Sequence, residues 1–180
     1  SGPETSIPSE SNDSVARLAW RLRFVHPRVV LIVHADLTSG RPYIVMEMLS
    51  GQSFAELLDS QGRIDAPLAV LIIREALKGL IAAHAAGIIH RDLKPENVFL
   101  HEPEPGRMLV KLMDFGISKF TEDPGGGRTG ANVVMGTPEY MSPEQAAGAA
   151  NVDARTDIWA MGVMLYRALT GIEPFCGKTM

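Results

Sequence analysis

The chain is short of cysteine, of long apolar runs, of excess positive charge and, over its first 77 residues, of lysine, and each shortage excludes something. Cys176 is the single cysteine among 180 residues. No internal disulfide can form, and cysteine usage gives no support to an oxidising compartment. No apolar run reaches the roughly 18 residues of a membrane helix, since the most hydrophobic stretch, 66–86, is interrupted by Arg74, Glu75, Lys78 and His84. The expectation is a chain with no membrane segment, working in the cytoplasm. The start, Ser1-Gly2-Pro3-Glu4, lacks the basic and apolar regions of a signal peptide. With 17 basic against 21 acidic residues the net charge is −4, which argues against a large nucleic-acid footprint. The five histidines show no His-Glu-x-x-His spacing, so the sequence predicts no zinc site. What remains is an ordinary globular composition, 46% hydrophobic and 21% charged, at the length of one domain or slightly more.

Along the chain the pattern changes several times. Residues 1–14 are rich in Ser, Pro and acids, with Ile7 as the only large apolar side chain, and read as a flexible leader. Val15, Leu18, Ala19 and Leu22 then fall on one helical face, ahead of His26-Pro27. Val29–Val33 and Tyr43–Met48 are β-rich runs separated by a turn with Ser39-Gly40 and Pro42. Ser53, with Glu56 three residues on, predicts a capped short helix through Asp59. Pro67 before Leu68–Ala86 and Gly87 after it punctuate a long helix so apolar that most of it should be covered. Asp157–Thr170 predicts a second helix of that kind. Between them, residues 87–148 are rich in loops and polar motifs.

The densest signal is Ile88-Ile89-His90-Arg91-Asp92-Leu93-Lys94-Pro95-Glu96-Asn97. It is followed by Asp114-Phe115-Gly116 and by Gly136-Thr137-Pro138-Glu139-Tyr140-Met141-Ser142-Pro143-Glu144. In this order the three blocks resemble the catalytic loop, metal-binding turn and activation-segment end of protein kinases. Asp157-Ile158-Trp159-Ala160-Met161-Gly162 resembles the helix that anchors their C-terminal lobe. The Ser-Pro-Glu-Gln ending looks most like the bacterial branch of the eukaryotic-type Ser/Thr kinases. By contrast Gly125-Gly126-Gly127-Arg128-Thr129-Gly130 spells a phosphate-clamp motif but follows no strand and opens no helix. It reads as loop.

The resemblance implies an α+β, protein-kinase-like fold, incomplete at both ends. Residues 1–14 would be a leader, 15–49 an N-lobe remnant of one helix and two strands with the hinge, and 50–180 a truncated, mostly helical C-lobe. It implies a Ser/Thr protein kinase that moves the γ-phosphoryl group of ATP, with Mg²⁺, to a protein Ser or Thr hydroxyl. Such chemistry needs a base-like carboxylate, a fixed cation near the transferring group and hard oxygen ligands for Mg²⁺. Asp92 and Lys94 would be the catalytic pair, and Asn97 and Asp114 the metal ligands. Met46 would be the gatekeeper, with backbone from Glu47 to Leu49 facing adenine above a floor made by Phe99. Arg91 would pair with a phosphate on Thr129, and Thr137 marks Ser/Thr preference. Against these stand two departures: none of the five lysines precedes Lys78, and Arg17 occupies the helix position where the family carries glutamate. The isolated chain is therefore expected to be inactive, and a non-catalytic pseudokinase that binds partners is the alternative.

Overall fold

The computed structural model describes residues 24–36, 43–115, 138–148 and 152–175. The expected leader, the helix over 15–22 with Arg17, the glycine run 125–130, Gly116, Thr129, Thr137 and Cys176 lie outside these residues.

Tertiary pairing moves the first strand along the chain. Val29 and Val30 are buried, and their backbone joins Leu112: Val30 N–H donates to Leu112 O at 2.9 Å, and Leu112 N–H to Arg28 O at 2.8 Å. The strand predicted at Val29–Val33 therefore starts later, as β1 (Ile32–Asp36), antiparallel to β2 (Tyr43–Met46). Glu47 N–H extends that pairing to Leu31 O at 3.0 Å.

A three-stranded antiparallel sheet follows: β3 (Gly51–Ser53), β4 (Val98–Glu104) and β5 (Arg107–Leu112). The hairpin of β4 and β5 lies inside the loop-rich stretch and contains its short apolar pieces, 98–100 and most of 108–113. Helix α1 (Phe54–Gln61) begins with the predicted capping box: Ser53 Oγ accepts from Glu56 N–H at 3.1 Å, and Glu56 Oε2 accepts from Ser53 N–H at 2.7 Å. Each side chain satisfies an end-of-helix donor that would otherwise lack a partner.

Helix α2 (Ala66–Ala85) starts two residues before its predicted position, with Pro67 in its first turn, where the missing N–H costs nothing. It ends before Gly87, whose φ of +75° suits glycine. Two short elements, a 3₁₀ turn at Pro138–Tyr140 and α3 (Pro143–Ala146), lead to α4 (Arg155–Thr170). Helices α2 and α4 pack on each other, as their apolar sequences predict. Phe54, Leu58, Ile72, Leu80, Leu112 and Met164 form the best-buried part of one continuous core.

Two close contacts tie the segment before β1 to α2. A Cβ on Gly79 would lie 2.9 Å from Arg28 O, so only glycine admits this approach. Arg28 also reaches the buried Glu75, Nη2 to Oε2 at 2.5 Å. Helix α2 is less covered than its sequence suggests, because Val70, Leu71 and Ile81 face outward among the described residues.

Neighbouring residues of α2 thus differ sharply in what they support. Leu80 is fully buried and Ile81 is 68% exposed. Leu80→Ala should cost about 2–5 kcal/mol and Ile81→Ala less than about 0.5 kcal/mol. Urea unfolding monitored by circular dichroism measures both. Equal costs would contradict this packing.

Candidate active site

A loop can present a reactive side chain only if its own polar groups are held in place. Here the holder is Asp157, in the first turn of α4 and 1% exposed. Its Oδ2 accepts from His90 N–H at 2.9 Å and lies 2.7 Å from His84 Nε2. Its Oδ1 accepts from Arg91 N–H at 2.8 Å. Three donors and the positive end of α4 compensate the buried carboxylate. Arg91 has a φ of +68°, a left-handed conformation that costs a non-glycine residue about 1–2 kcal/mol. The ion-assisted hydrogen bond to Asp157 offsets that cost.

His90 is fully buried beneath the loop. Its Nε2 is 2.7 Å from Met113 O, and its ring sits 4.6 Å from that of Phe115. Asp92 N–H makes a long contact, 3.4 Å, to His90 Nδ1. This set of partners requires a neutral imidazole protonated at Nε2.

Asp92 is half-buried, and its Oδ2 lies 3.9 Å from Lys94 Nζ. Asn97 donates Nδ2–H to Asp92 O at 2.7 Å and accepts Met113 N–H on its own carbonyl at 2.9 Å. The second contact brings the end of this loop beside Asp114, which is exposed and has a φ of +55°. Asn97 thereby links the Asp92 carbonyl to the segment that carries Asp114. Arg91, Asp92, Lys94, Tyr140, Met141 and Gln145 line a cleft, and Asn97 and Asp114 are not among its lining residues.

Met46, Glu47, Leu49 and Phe99 lie elsewhere, at the end of β2, just after it and on β4. Glu47 is firmly held. Its Oε1 accepts from Leu31 N–H at 2.8 Å and pairs with Lys111 Nζ. Burial works to raise its pKa, but the hydrogen bonds from Lys111 and Leu31 prevail and hold the carboxyl below its ordinary range. Phe99 stands opposite Ser53 and Lys111 in the sheet. Among the described residues no three His, Cys, Asp or Glu side chains come together as a metal cage.

Several side chains stand in the quoted motifs, but the motifs do not say what they hold. Asp157 opens the run that resembles the family's anchoring helix, and its hydrogen-bond partners are not written there. Gln145 donates Nε2–H to Arg91 O at 2.7 Å. Tyr140 OH accepts from Arg167 Nη1 at 2.7 Å and donates to Glu173 Oε1 at 3.0 Å, while Arg167 Nη2 reaches Asp59 at 3.0 Å. Burial pushes the Tyr140 phenol above its ordinary range, which keeps it a neutral donor.

The sequence profile of the family described as protein kinase domain matches residues 8–180. The chain belongs to that family. It is 41% identical to the serine/threonine-protein kinase Pkn3 of Myxococcus xanthus over 163 residues, 89% of this chain and 29% of that protein. It is 43% identical to Pkn2 of the same organism, over 84% of this chain and 18% of the relative. Against PknB of Mycolicibacterium smegmatis the identity is 40%, over 86% and 24%. The chain thus spans less than a third of the length of these relatives. The mixed helix and strand content and the small sheets are those of a protein kinase domain, and no helix among the described residues is long and apolar enough to cross a membrane.

The buried histidine of this kinase domain makes stability depend on pH. Burial favours neutral His90 and pushes its pKa below the ordinary 6.5. Below that value the unfolded chain binds more protons than the folded one, so stability falls as pH falls, by up to about 1.4 kcal/mol per unit. The depressed carboxylates, such as Glu47, act in the same direction only below their ordinary value of 4.5. Urea midpoints between pH 7.5 and 5 should therefore decline, and His90→Gln should flatten the decline. An identical slope in both proteins would contradict the assignment.

Proposed function

We propose that this chain carries the catalytic segment of a Ser/Thr protein kinase, transferring the γ-phosphoryl group of ATP to Ser or Thr hydroxyls of a protein substrate. The observation that carries this reading is the Asp92–Lys94 pair on a loop pinned by buried Asp157. Asp92 would accept or orient the acceptor hydroxyl proton, and Lys94 would set a cation beside the transferring group. Asn97, whose amide nitrogen is committed to the Asp92 carbonyl, would offer its amide oxygen to Mg²⁺, together with the exposed carboxylate of Asp114. Two protein oxygens suit an ion that prefers to complete its shell with phosphates and water. When bound, Mg²⁺ neutralises charge on the phosphates.

Adenine would rest between the backbone of 47–49 and Phe99, behind Met46. The anchoring of Glu47 to Leu31 and Lys111 supports a rigid backbone there. On this reading residues 1–14 are a leader, 15–49 belong to an N-lobe with the hinge, and 50–180 to a helical C-lobe. Arg91, exposed beside Asp92, would pair with phosphate on Thr129, and Thr137 would mark Ser/Thr preference. The setting is cytoplasmic, the partner a protein and not a nucleic acid.

The second reading, a pseudokinase that binds partners without transferring phosphate, draws on the absence of any lysine before Lys78 and on Arg17. One assay separates the two. Labelled phosphate transfer from Mg-ATP to a generic Ser/Thr substrate should be negligible for the 180-residue chain and measurable for the complete gene product. In that product Asp92→Asn should lower kcat at least about 100-fold. Full activity in Asp92→Asn would overturn the kinase assignment, and no transfer by either polypeptide would favour the pseudokinase.

A further inference from the structure

Arg91 is the strained residue of the loop, and both peptide planes that flank it are held from outside. The plane before it, carrying Arg91 N–H, is held by Asp157 at 2.8 Å. The plane after it contains Arg91 C=O and Asp92 N–H, and its oxygen receives Nε2–H of Gln145 at 2.7 Å. Gln145 is itself fixed at its other end. Its Oε1 accepts from Ser142 N–H at 3.2 Å and from the hydroxyl of Thr156, which also lies 2.8 Å from Ser142 Oγ. Ser142 and Thr156 are buried. One side-chain amide thus joins the start of α3, the start of α4 and the peptide that leads into Asp92.

We infer that Gln145 is a positioning residue: through the Arg91 carbonyl it sets the peptide plane, and hence the side-chain direction, of Asp92. Its donor end performs this, not its acceptor end. The distinction matters because Gln145 also closes the capping box of α3 with Ser142, and glutamate serves a capping box equally well. A residue needed only for the cap would tolerate Gln145→Glu. A residue needed for its N–H donor would not, because the new carboxylate oxygen would face the Arg91 carbonyl oxygen with no proton between them.

The consequence for catalysis rests on the kinase reading, whereas the clamp itself can be measured without it. By NMR on the 180-residue chain, Gln145→Glu should speed exchange of the Asp92 amide about 10-fold, the loss of one hydrogen bond. It should also average the Asp92 χ1 couplings, while the Gln145 and Thr156 backbone amides keep their protection. In the complete gene product the same variant should lower kcat about 10-fold with KM for ATP unchanged, since the defect lies at the acceptor side. Asp92 exchange and couplings equal to wild type in Gln145→Glu would overturn the inference, as would an unchanged kcat in an active enzyme whose clamp is lost. If the wild-type gene product transfers no phosphate, the kinase reading fails, and the Asp92 amide and couplings decide the clamp alone.

Discussion

A carboxylate enclosed by protein must find donors for its lone pairs, and this need organises the molecule around Asp157. Its partners come from two places far away in sequence: His84 from the last turn of α2, and His90 and Arg91 from the loop beyond. Removing water from such a group costs several kcal/mol unless the partners stand in the right geometry. The loop cannot move away from α4 without leaving that charge unsatisfied. Together with the buried Ile88 and Leu93, this ties the loop to the helical core.

The rest of the fold serves that arrangement. Helices α2 and α4 pack together through residues such as Leu80, Met161 and Met164, which fixes His84 and Asp157 at matching heights. The sheet of β3, β4 and β5 closes the other side, with Val98, Val110 and Leu112 buried. From this sheet Lys111 reaches Glu47, and Leu112 takes the backbone of Arg28 and Val30. Glu47 and the loop around Asp92 therefore share one scaffold although they lie apart. On the other side of the loop, Gln145 connects it to α4 through Thr156. A site for group transfer needs this kind of restraint, because its chemistry depends on position more than on reactivity.

Local signals in the sequence carry much of this, and distant pairings do not. The capping box at Ser53 and Glu56, the Pro67 and Gly87 punctuation and the apolar face of α4 are written within a few residues each, and the helices form where those marks stand. The Asp92–Lys94 pair is legible because loop and motif coincide over 90–97. Val29 and Val30 mislead, since the backbone there pairs with Leu112 at the end of β5 and not with β2. The role of Asp157 is hidden for the same reason: donor and acceptor stand 66 residues apart between Arg91 and Asp157. Gln145 is 54 residues from the carbonyl it holds, and Lys111 is 64 from Glu47. No periodicity or composition encodes such contacts. They exist only once the core has formed.

The central claim is that one buried carboxylate fixes the loop, and Asp157→Asn tests it most directly. The asparagine keeps the size of the side chain but turns one acceptor into a donor facing other donors. Native-state hydrogen exchange on the two proteins should show the His90 and Arg91 amides losing protection by about 10–100-fold, the equivalent of a hydrogen bond to a charged group. The amides of Leu80 and Met164 in the helical core should change far less. Equal protection of His90 and Arg91 in Asp157→Asn and wild type would contradict the account, because the loop would then be held by something other than the carboxylate.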